Sequence, residues 1–305
     1  MRVSVYNHQN KATGIADAIR SQGHELTNLQ SADILLIDHD GPQYYRDIID
    51  YAERCKIPVW LYSHGANSCM AWDGWWEPHP WTSGYLANAP GHKEIMKRYG
   101  YPKPVHVIGW HWCEKIIPQP RPPVTSVLFA PIHPLGNGFM RPEARAANGQ
   151  AFARLLATGY QIRLRYIGSL EAQGLWEEPG VEYEMGQPDN TTLSIDRAEC
   201  VVSWGTFAHL AVARGKPVVF YGQDDIPGDG HSADGMRYVR HWKKYKNLLR
   251  YPIDLCDGNA RDQMQAAARS DVATFEWIAN FIGLQLNPLR LSRLLEELAN
   301  VRVHV

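Results

Sequence analysis

Short apolar runs alternate along this chain with longer stretches in which apolar side chains recur every three or four positions. Arg2–Tyr6 reads as a strand, and Ile15, Ala16 and Ile19 mark Thr13–Gln22 as a helix ending at Gly23. His24–Asn28 reads as a second strand. Ala32–Asp38 is almost wholly apolar, the pattern of a strand covered on both faces in a parallel sheet. A helix over Tyr44–Arg54 and a buried strand over Pro58–Tyr62 follow, the latter running into Ser63, His64 and Gly65. Trp81–Asn88 and Pro104–Gly109 are expected strands flanking a helix over His92–Tyr99. Residues Ile117–Pro123 (IPQPRPP) hold four prolines in seven positions and read as a stiff linker. The alternation then resumes: strand Thr125–Ala130, helix Arg141–Thr158, strand Gln161–Ile167, helix Asp189–Arg197, strand Glu199–Ser203, helix Phe207–Arg214 and strand Pro217–Tyr221. Helices are expected over Met236–Leu249, over Ala260–Ile282 with a break, and over Pro288–Ala299. Strands separated by helix-length segments predict βαβ units and two mainly parallel sheets.

Composition narrows the class. Hydrophobic residues are 45% of the 305, enough for a sizeable core, and formal net charge is -1 from 31 basic and 32 acidic side chains. That balance gives no global attraction to nucleic acid or an anionic membrane. The five cysteines form no CxxC pair, so neither a structural zinc site nor a disulfide framework is indicated, and a reducing, cytoplasmic setting is expected. No run reaches the roughly 18 apolar residues of a membrane span, and MRVSVYN lacks the layout of a signal peptide. Eleven tryptophans are the one oddity. Those within Ala71–Trp81 lie among glycine, proline and charge, so Trp72, Trp75 and Trp76 read as an aromatic loop suited to holding a ligand.

The most informative stretch is Ala198–Gly222. A buried strand ends in Ser203, Trp204, Gly205 and Thr206, and a helix begins at once. The first N–H groups of a helix are unpaired and its dipole favours anions there. Small residues let a phosphate approach the backbone, with the Ser203 and Thr206 hydroxyls as further donors. Taken singly, the same residues read as ordinary helix caps. As a whole, the segment (an acidic residue, an apolar strand, Ser-x-Gly-Thr, a helix, then ARGKPVVFY) resembles the donor-diphosphate segment of GT-B glycosyltransferases and of CDP-glycerol glycerophosphotransferases. Val127–Pro134 with Gly136 and Gly138 resembles the first strand and loop of such a C-terminal domain. Trp60–Gly65 resembles the strand-end WHG of the glycerophosphotransferases, whose histidine is a proposed base.

The resemblance implies an α/β protein of two Rossmann-like domains facing a central cleft. Its parts would be an acceptor domain over 1–116, the linker over 117–123, a nucleotide-sugar donor domain over 124–285, and a helix over 286–305 returning to the first domain. It implies a glycosyltransferase that needs no metal or other cofactor and takes a nucleotide-diphosphate sugar, a UDP-sugar first, as co-substrate. Donor contacts would come from His133, Gly136, Gly138, Ser203, Trp204, Gly205 and Thr206. Asp224 and Asp225, at a strand end, would bond sugar hydroxyls or simply make a turn into Pro227 and Gly228. His64, at the carboxyl end of a strand, is the first candidate base, and His8 is an acceptor-side candidate with Trp72, Trp75 and Trp76. Asp38-His39-Asp40 matches the metal-binding DxD pattern, but its place before Gly41-Pro42 favours a solvated strand-end turn. If functional, Asp38 or Asp40 would be an alternative base. Arg237, Arg240, Lys243, Lys244, Lys246 and Arg250 on one expected helix read first as a solvated face. Their sharper reading is contact with a polyanionic acceptor, which leaves open a DNA glycosyltransferase acting on a hydroxymethylated base. A glycerophosphotransferase, a nucleotide-sugar epimerase and a non-catalytic two-lobed nucleotide-binding protein fit the same motifs.

Overall fold

The computed structural model describes the chain apart from residues 7–12, 41–42, 64–78, 99, 112, 114–120, 122, 132–141, 188, 222–252, 254, 256–257 and 301–305. The expected helix over Met236–Leu249, the aromatic loop and most of the proline-rich segment lie outside the described residues. The chain forms two compact units, Met1–Ile116 with Ala279–Val305, and Ile117–Ile278.

In the first unit the described elements are β1 (Arg2–Tyr6), α1 (Thr13–Ser21), β2 (Glu25–Leu26), β3 (Ile34–Ile37), α2 (Gln43–Arg54), β4 (Val59–Tyr62), β5 (Thr82–Ala87), α3 (Pro90–Arg98) and β6 (Val105–Val107). They build a six-stranded sheet, parallel throughout, in the order β2-β1-β3-β4-β5-β6. All four residues of β3 and all four of β4 are buried, as their continuous apolar runs predict. α2 turns Tyr45, Ile49 and Ala52 inward, on i, i+4, i+7 spacing.

The C-terminal segment completes this unit. Its last helix, placed at Pro288–Asn300, buries Leu291, Leu295 and Leu298 in one cluster with Ile15 and Ile19 of α1 and with Leu36 and Trp60 of the sheet. Each fully buried leucine contributes about 1.5–3 kcal/mol. Ahead of that helix, Trp110 N–H donates to Leu284 O at 2.7 Å. Gly283 has φ +112°, and a Cβ there would sit 2.7 Å from Asn88 O, so only glycine fits this crossing. Two buried histidines fasten the same segment: His92 Nε2 lies 2.6 Å from Phe281 O, and His24 Nε2 lies 2.7 Å from Ser292 Oγ.

The second unit contains β7 (Ser126–Ala130), α4 (Pro142–Leu156), β8 (Gln161–Tyr166), β9 (Glu182–Met185), α5 (Thr191–Asp196), β10 (Cys200–Ser203), α6 (Gly205–Ala213), β11 (Val218–Phe220) and α7 (Ala260–Arg269). Its sheet is five-stranded and parallel, in the order β11-β10-β7-β8-β9. Phe129 stacks on Phe152 and meets Tyr221 edge-on within a core shared with Leu164, Val202 and Val219. The helical stretch expected over Ala260–Ile282 is broken. α7 ends at Arg269, and Thr274 then caps a new turn at Phe275–Trp277, followed by a π-helical segment over Ile278–Ile282.

One strand has no counterpart in the sequence reading. β9 (EYEM) is too short for its polar-apolar alternation to mark a strand; Tyr183 packs on the core, and its pairing with β8 sets Glu182 opposite Arg163 and Glu184 opposite Arg165. Charge complementarity adds to that contact: Glu184 pairs with both Arg165 (2.8 Å) and Arg163 (3.5 Å).

Burial lowers the His92 pKa to about 4, partly opposed by its bond to Phe281 O. A histidine depressed in the folded state stabilises the fold fully above its unfolded value of about 6.5, and that contribution fades as pH falls towards 4. The share of unfolding free energy, measured by urea titration, that His92 contributes is expected to fall by about 3 kcal/mol across that window. A His92→Asn variant is expected to lose this share of the slope; an unchanged slope would assign the acid sensitivity elsewhere.

Candidate functional site

In the second sheet the chain runs outward from β7 to β8 and β9, then returns to lay β10 on the other side of β7. The crossovers leaving β7 and β10 therefore diverge, and at such a reversal an open α/β sheet has a crevice outside its carboxyl ends. β7 ends at Ala130 and β10 at Ser203, and the two residues are register partners. The Ser203 hydroxyl, expected to face a ligand, instead is buried and donates to Ala130 O at 2.7 Å. It ties the two strand ends together, and its proton is not offered to a phosphate.

The start of α6 is also not capped by serine or threonine. The N-cap is Trp204, in extended conformation (φ −133°, ψ 152°), with no side-chain cap bond. Its ring packs, half-buried, against the core of the unit. Thr206 is half-buried in the first turn. Thus α6, nine residues long, begins at the sheet reversal behind an N-cap that offers no side-chain acceptor to its leading N–H groups. Its far end is closed by charge: Arg214 grips Asp196 through two bonds of 2.6 Å, and Lys216 donates to Asp196 O at 2.7 Å. The acidic residue of the motif, Glu199, accepts from Thr125 N, Thr125 Oγ1 and Ser126 N at 2.8–3.0 Å. Burial works against those bonds, which nonetheless hold its carboxyl below the usual range. Glu199 therefore fixes the beginning of β7. His133, Gly136, Gly138, Asp224 and Asp225 lie outside the described residues.

A residue that sequence reasoning missed stands beside this helix start. Arg165 of β8 is buried, and its guanidinium lies 5.4 Å from the ring of Phe207 in α6. One terminal nitrogen donates to Glu184 Oε1 (2.8 Å), Asn190 Oδ1 and Ser194 Oγ (3.0 Å). The other donates to Gln187 O at 2.8 Å and Thr191 Oγ1 at 2.9 Å. The fork so fixes the turn from β9 into α5, at the same edge of the sheet as the α6 start. Ser194 Oγ also bonds Glu184 Oε1.

In the first sheet the reversal falls between β1 and β3. β1 ends at Tyr6, and β3 runs into Asp38, His39 and Asp40. The expected solvated turn is not what forms: Asp38 is 7% exposed and Asp40 only 1%. Asp40 Oδ2 accepts from His79 N at 3.0 Å, and His79 Nε2 lies 2.8 Å from Asp50 Oδ1. Lys103 donates to His79 O, Pro80 O and Thr82 Oγ1, so Asp40 belongs to a braced turn. Burial lowers the Lys103 pKa, with Asp40 opposing. Asp38 has another setting. Burial first, then the Asp38 charge, raises the pKa of both the Tyr45 and the Tyr62 hydroxyls. Tyr45 in turn meets the rings of Tyr6, His39 and Tyr44 at 5.4–6.1 Å between centroids. His8, His64, Trp72, Trp75 and Trp76 lie outside the described residues.

Among the described residues no group of three or more His, Cys, Asp or Glu could hold a metal ion. No described helix is long and apolar enough to cross a membrane. No family model matches the sequence, and no curated protein matches it. Solved structures do. UDP-GlcNAc 2-epimerase from Neisseria meningitidis, bound to UDP-GlcNAc, superimposes with TM-score 0.52 at 11% identity, over 97% of this chain and 99% of that one. S. aureus MnaA with UDP gives 0.58 at 9%, over 98% and 97%. Spinosyn rhamnosyltransferase SpnG with thymidine diphosphate gives 0.50 at 13%, over 97% and 100%. The chain thus has the GT-B-like α/β fold that its motifs resemble.

The Arg165 arrangement predicts a large stability effect. Arg165→Ala removes the fork and leaves Glu184 only its longer contact with Arg163 Nε at 3.5 Å; it is expected to cost about 3 kcal/mol in chemical denaturation, with Arg165→Lys intermediate because a point charge cannot reproduce the fork. A loss under about 1 kcal/mol, the range of an exposed pair, would show that the fork does not hold the turn.

Proposed function

We propose that the protein is a glycosyltransferase using a nucleotide-diphosphate sugar, held by the second unit, and an acceptor hydroxyl presented to the first. The observation that carries this reading is the start of α6, behind an N-cap with no side-chain bond, at the reversal of a parallel sheet. Backbone N–H groups and the helix dipole there suit a diphosphate, both bound and departing. The fold is also that of proteins whose structures hold UDP-GlcNAc, UDP and thymidine diphosphate. Gly205 and Thr206 would line the diphosphate, with His133, Gly136 and Gly138 approaching from the loop after β7 and Asp224 and Asp225 assigned to sugar hydroxyls. In the transfer, the acceptor oxygen bonds to the anomeric carbon while its proton passes to a protein base. The bond from that carbon to the diphosphate oxygen breaks, and the electron pair leaves on the diphosphate. Asp38, at the β1/β3 reversal, is the base this reading prefers; His64, after β4, is the second candidate.

The donor site is tested by thermal shift with UDP, dTDP, CDP, GDP and ADP, in EDTA and in magnesium. One nucleoside diphosphate at about 100 times its Kd is expected to stabilise by about 2.7 kcal/mol, a rise of several degrees, without metal. Gly205→Pro is expected to abolish the response while preserving the fold. Proline is tolerated at the first helical position and after an extended residue such as Trp204, yet it removes a donor N–H. Silence from all five nucleotides would sink the reading, and a response only in magnesium would move the charge stabilisation to a cation.

With a donor identified, the base is separated by two variants. Asp38→Asn is expected to lower kcat by about 10²–10⁴-fold with donor binding intact, the range of general base catalysis. A comparable loss in His64→Ala, with Asp38→Asn near wild type, would transfer the role. A nucleotide-sugar epimerase is the second reading, favoured by the likeness to UDP-GlcNAc 2-epimerase. It would interconvert a UDP-sugar with no acceptor present.

A further inference from the structure

The β1/β3 reversal of the first unit gathers a set of groups that the motifs did not single out together. Tyr6 closes β1, Asp38 and His39 follow β3, and Tyr44 and Tyr45 open α2. Tyr6 and Tyr44 lie 5.8 Å apart at 59°, and both lean on Tyr45, at 6.1 and 5.7 Å. His39 meets Tyr45 as well, at 5.4 Å. The five are graded in exposure. Tyr44 is 59% exposed, Tyr6 and His39 are half-buried, and Tyr45 and Asp38 are buried. At this exposure the Tyr44 ring is reachable from solvent, and Tyr6 beside it is half-buried. The pair stands at the sheet reversal, the edge where open α/β sheets bind ligands.

The chemistry of these groups is selective. The faces of tyrosine rings carry negative quadrupole density, and a carboxylate carries full negative charge. Both attract polarised C–H and O–H groups, and both repel phosphate. A carboxylate has about four lone-pair sites, so Asp38 can accept from a ligand while keeping its bonds within the fold. A flat aromatic ligand would use the ring faces but bring few donors to the carboxylate. A pyranose brings both, an electropositive C–H face and a rim of hydroxyls.

We infer that this crevice is a saccharide subsite, in which a neutral pyranose lays its C–H face on Tyr44 and Tyr6 and turns a hydroxyl towards Asp38. The inference rests on the transferase reading for its role, as the acceptor side, but not for its binding chemistry. It makes the acceptor a carbohydrate or glycoside, in place of the DNA or other polyanion that the basic segment over 237–250 suggests.

Saturation-transfer NMR on the full chain tests it, with the methyl pyranosides of glucose, galactose and mannose, each with and without the stabilising nucleoside diphosphate. A duplex of about 20 base pairs carrying 5-hydroxymethylcytosine is tested by titration at low salt. At least one pyranoside is expected to bind, with saturation strongest on the protons of one ring face. Tyr44→Ala is expected to weaken it about tenfold, Tyr44→Phe to retain it, and both to bind the nucleotide as wild type does. Tyr44 is exposed, so neither change disturbs the core. Nucleotide binding with no pyranoside binding would overturn the subsite and leave the transferase reading standing. Pyranoside binding indifferent to Tyr44→Ala would overturn it too, as would duplex binding that Tyr44→Ala abolishes. Pyranoside binding sensitive to Tyr44→Ala with no nucleotide response would uphold the subsite and remove the transferase.

Discussion

A strand in a parallel sheet cannot turn straight back into its neighbour, because the chain must return to the starting end before pairing again. Both sheets here are parallel throughout, and in each the chain lays strands to one side of its first strand and then reverses to the other. That constraint has two consequences. Strands covered on both faces must be apolar along their length, as β3, β4 and β10 largely are. At the reversal the two departing crossovers separate, and these strand ends form the edge at which open α/β sheets bind ligands. In the first unit those ends are Tyr6 and Asp38; in the second they are Ala130 and Ser203 with the start of α6. Candidate chemistry lies where connectivity prevents the fold from closing over itself.

Polar groups placed at those edges must be satisfied, and each charge is handled differently. Glu199 satisfies three donors at the start of β7. Asp196 is held by a bidentate arginine. Arg165 divides its protons over four side chains and one carbonyl within one strand-turn-helix passage. Each stands close to break-even against water only if every partner is present, so these clusters fix geometry more than they add net stability. Asp38 differs, since its charge is felt by the phenol hydroxyls of Tyr45 and Tyr62.

How much of this is legible in the sequence depends on which force holds each element. Where burial of an apolar run decides, as in β3, β4 and β10 or in the Leu291, Leu295, Leu298 stripe, periodicity locates the element to within a residue or two. β9 escapes because its apolar side is two residues long, with Tyr183 on the core, and the pairing of Glu184 with Arg163 and Arg165 is not encoded in a binary apolar-polar pattern. Arg165 escapes for the same reason: an arginine in a strand reads as surface until its partners, 19 to 29 positions away, are known. Ser203 is legible as a strand end but not in its bond, since the Ala130 carbonyl that takes its proton lies 73 residues away. Asp38 and Asp40 look like a polar turn because Gly41 and Pro42 follow. Their burial comes with α2, His79 and Lys103, contacts that local spacing does not encode.

The two reversals differ in electrostatic sign, and that difference bears on what each can hold. The second unit presents the positive end of a nine-residue helix that opens with Gly205 and Thr206 behind Trp204. The first presents a carboxylate and tyrosine faces, which disfavour an anion and favour hydroxyl and C–H donors. Group transfer from a diphosphate to an alcohol develops negative charge on the departing oxygen and releases a proton from the arriving one. A positive helix end answers the first need, and a carboxylate answers the second. Exchanging the two ligands would set a diphosphate against Asp38 and leave a neutral hydroxyl at a helix start with no base, so under the proposed transfer the sign pattern is the argument for donor at the second unit and acceptor at the first.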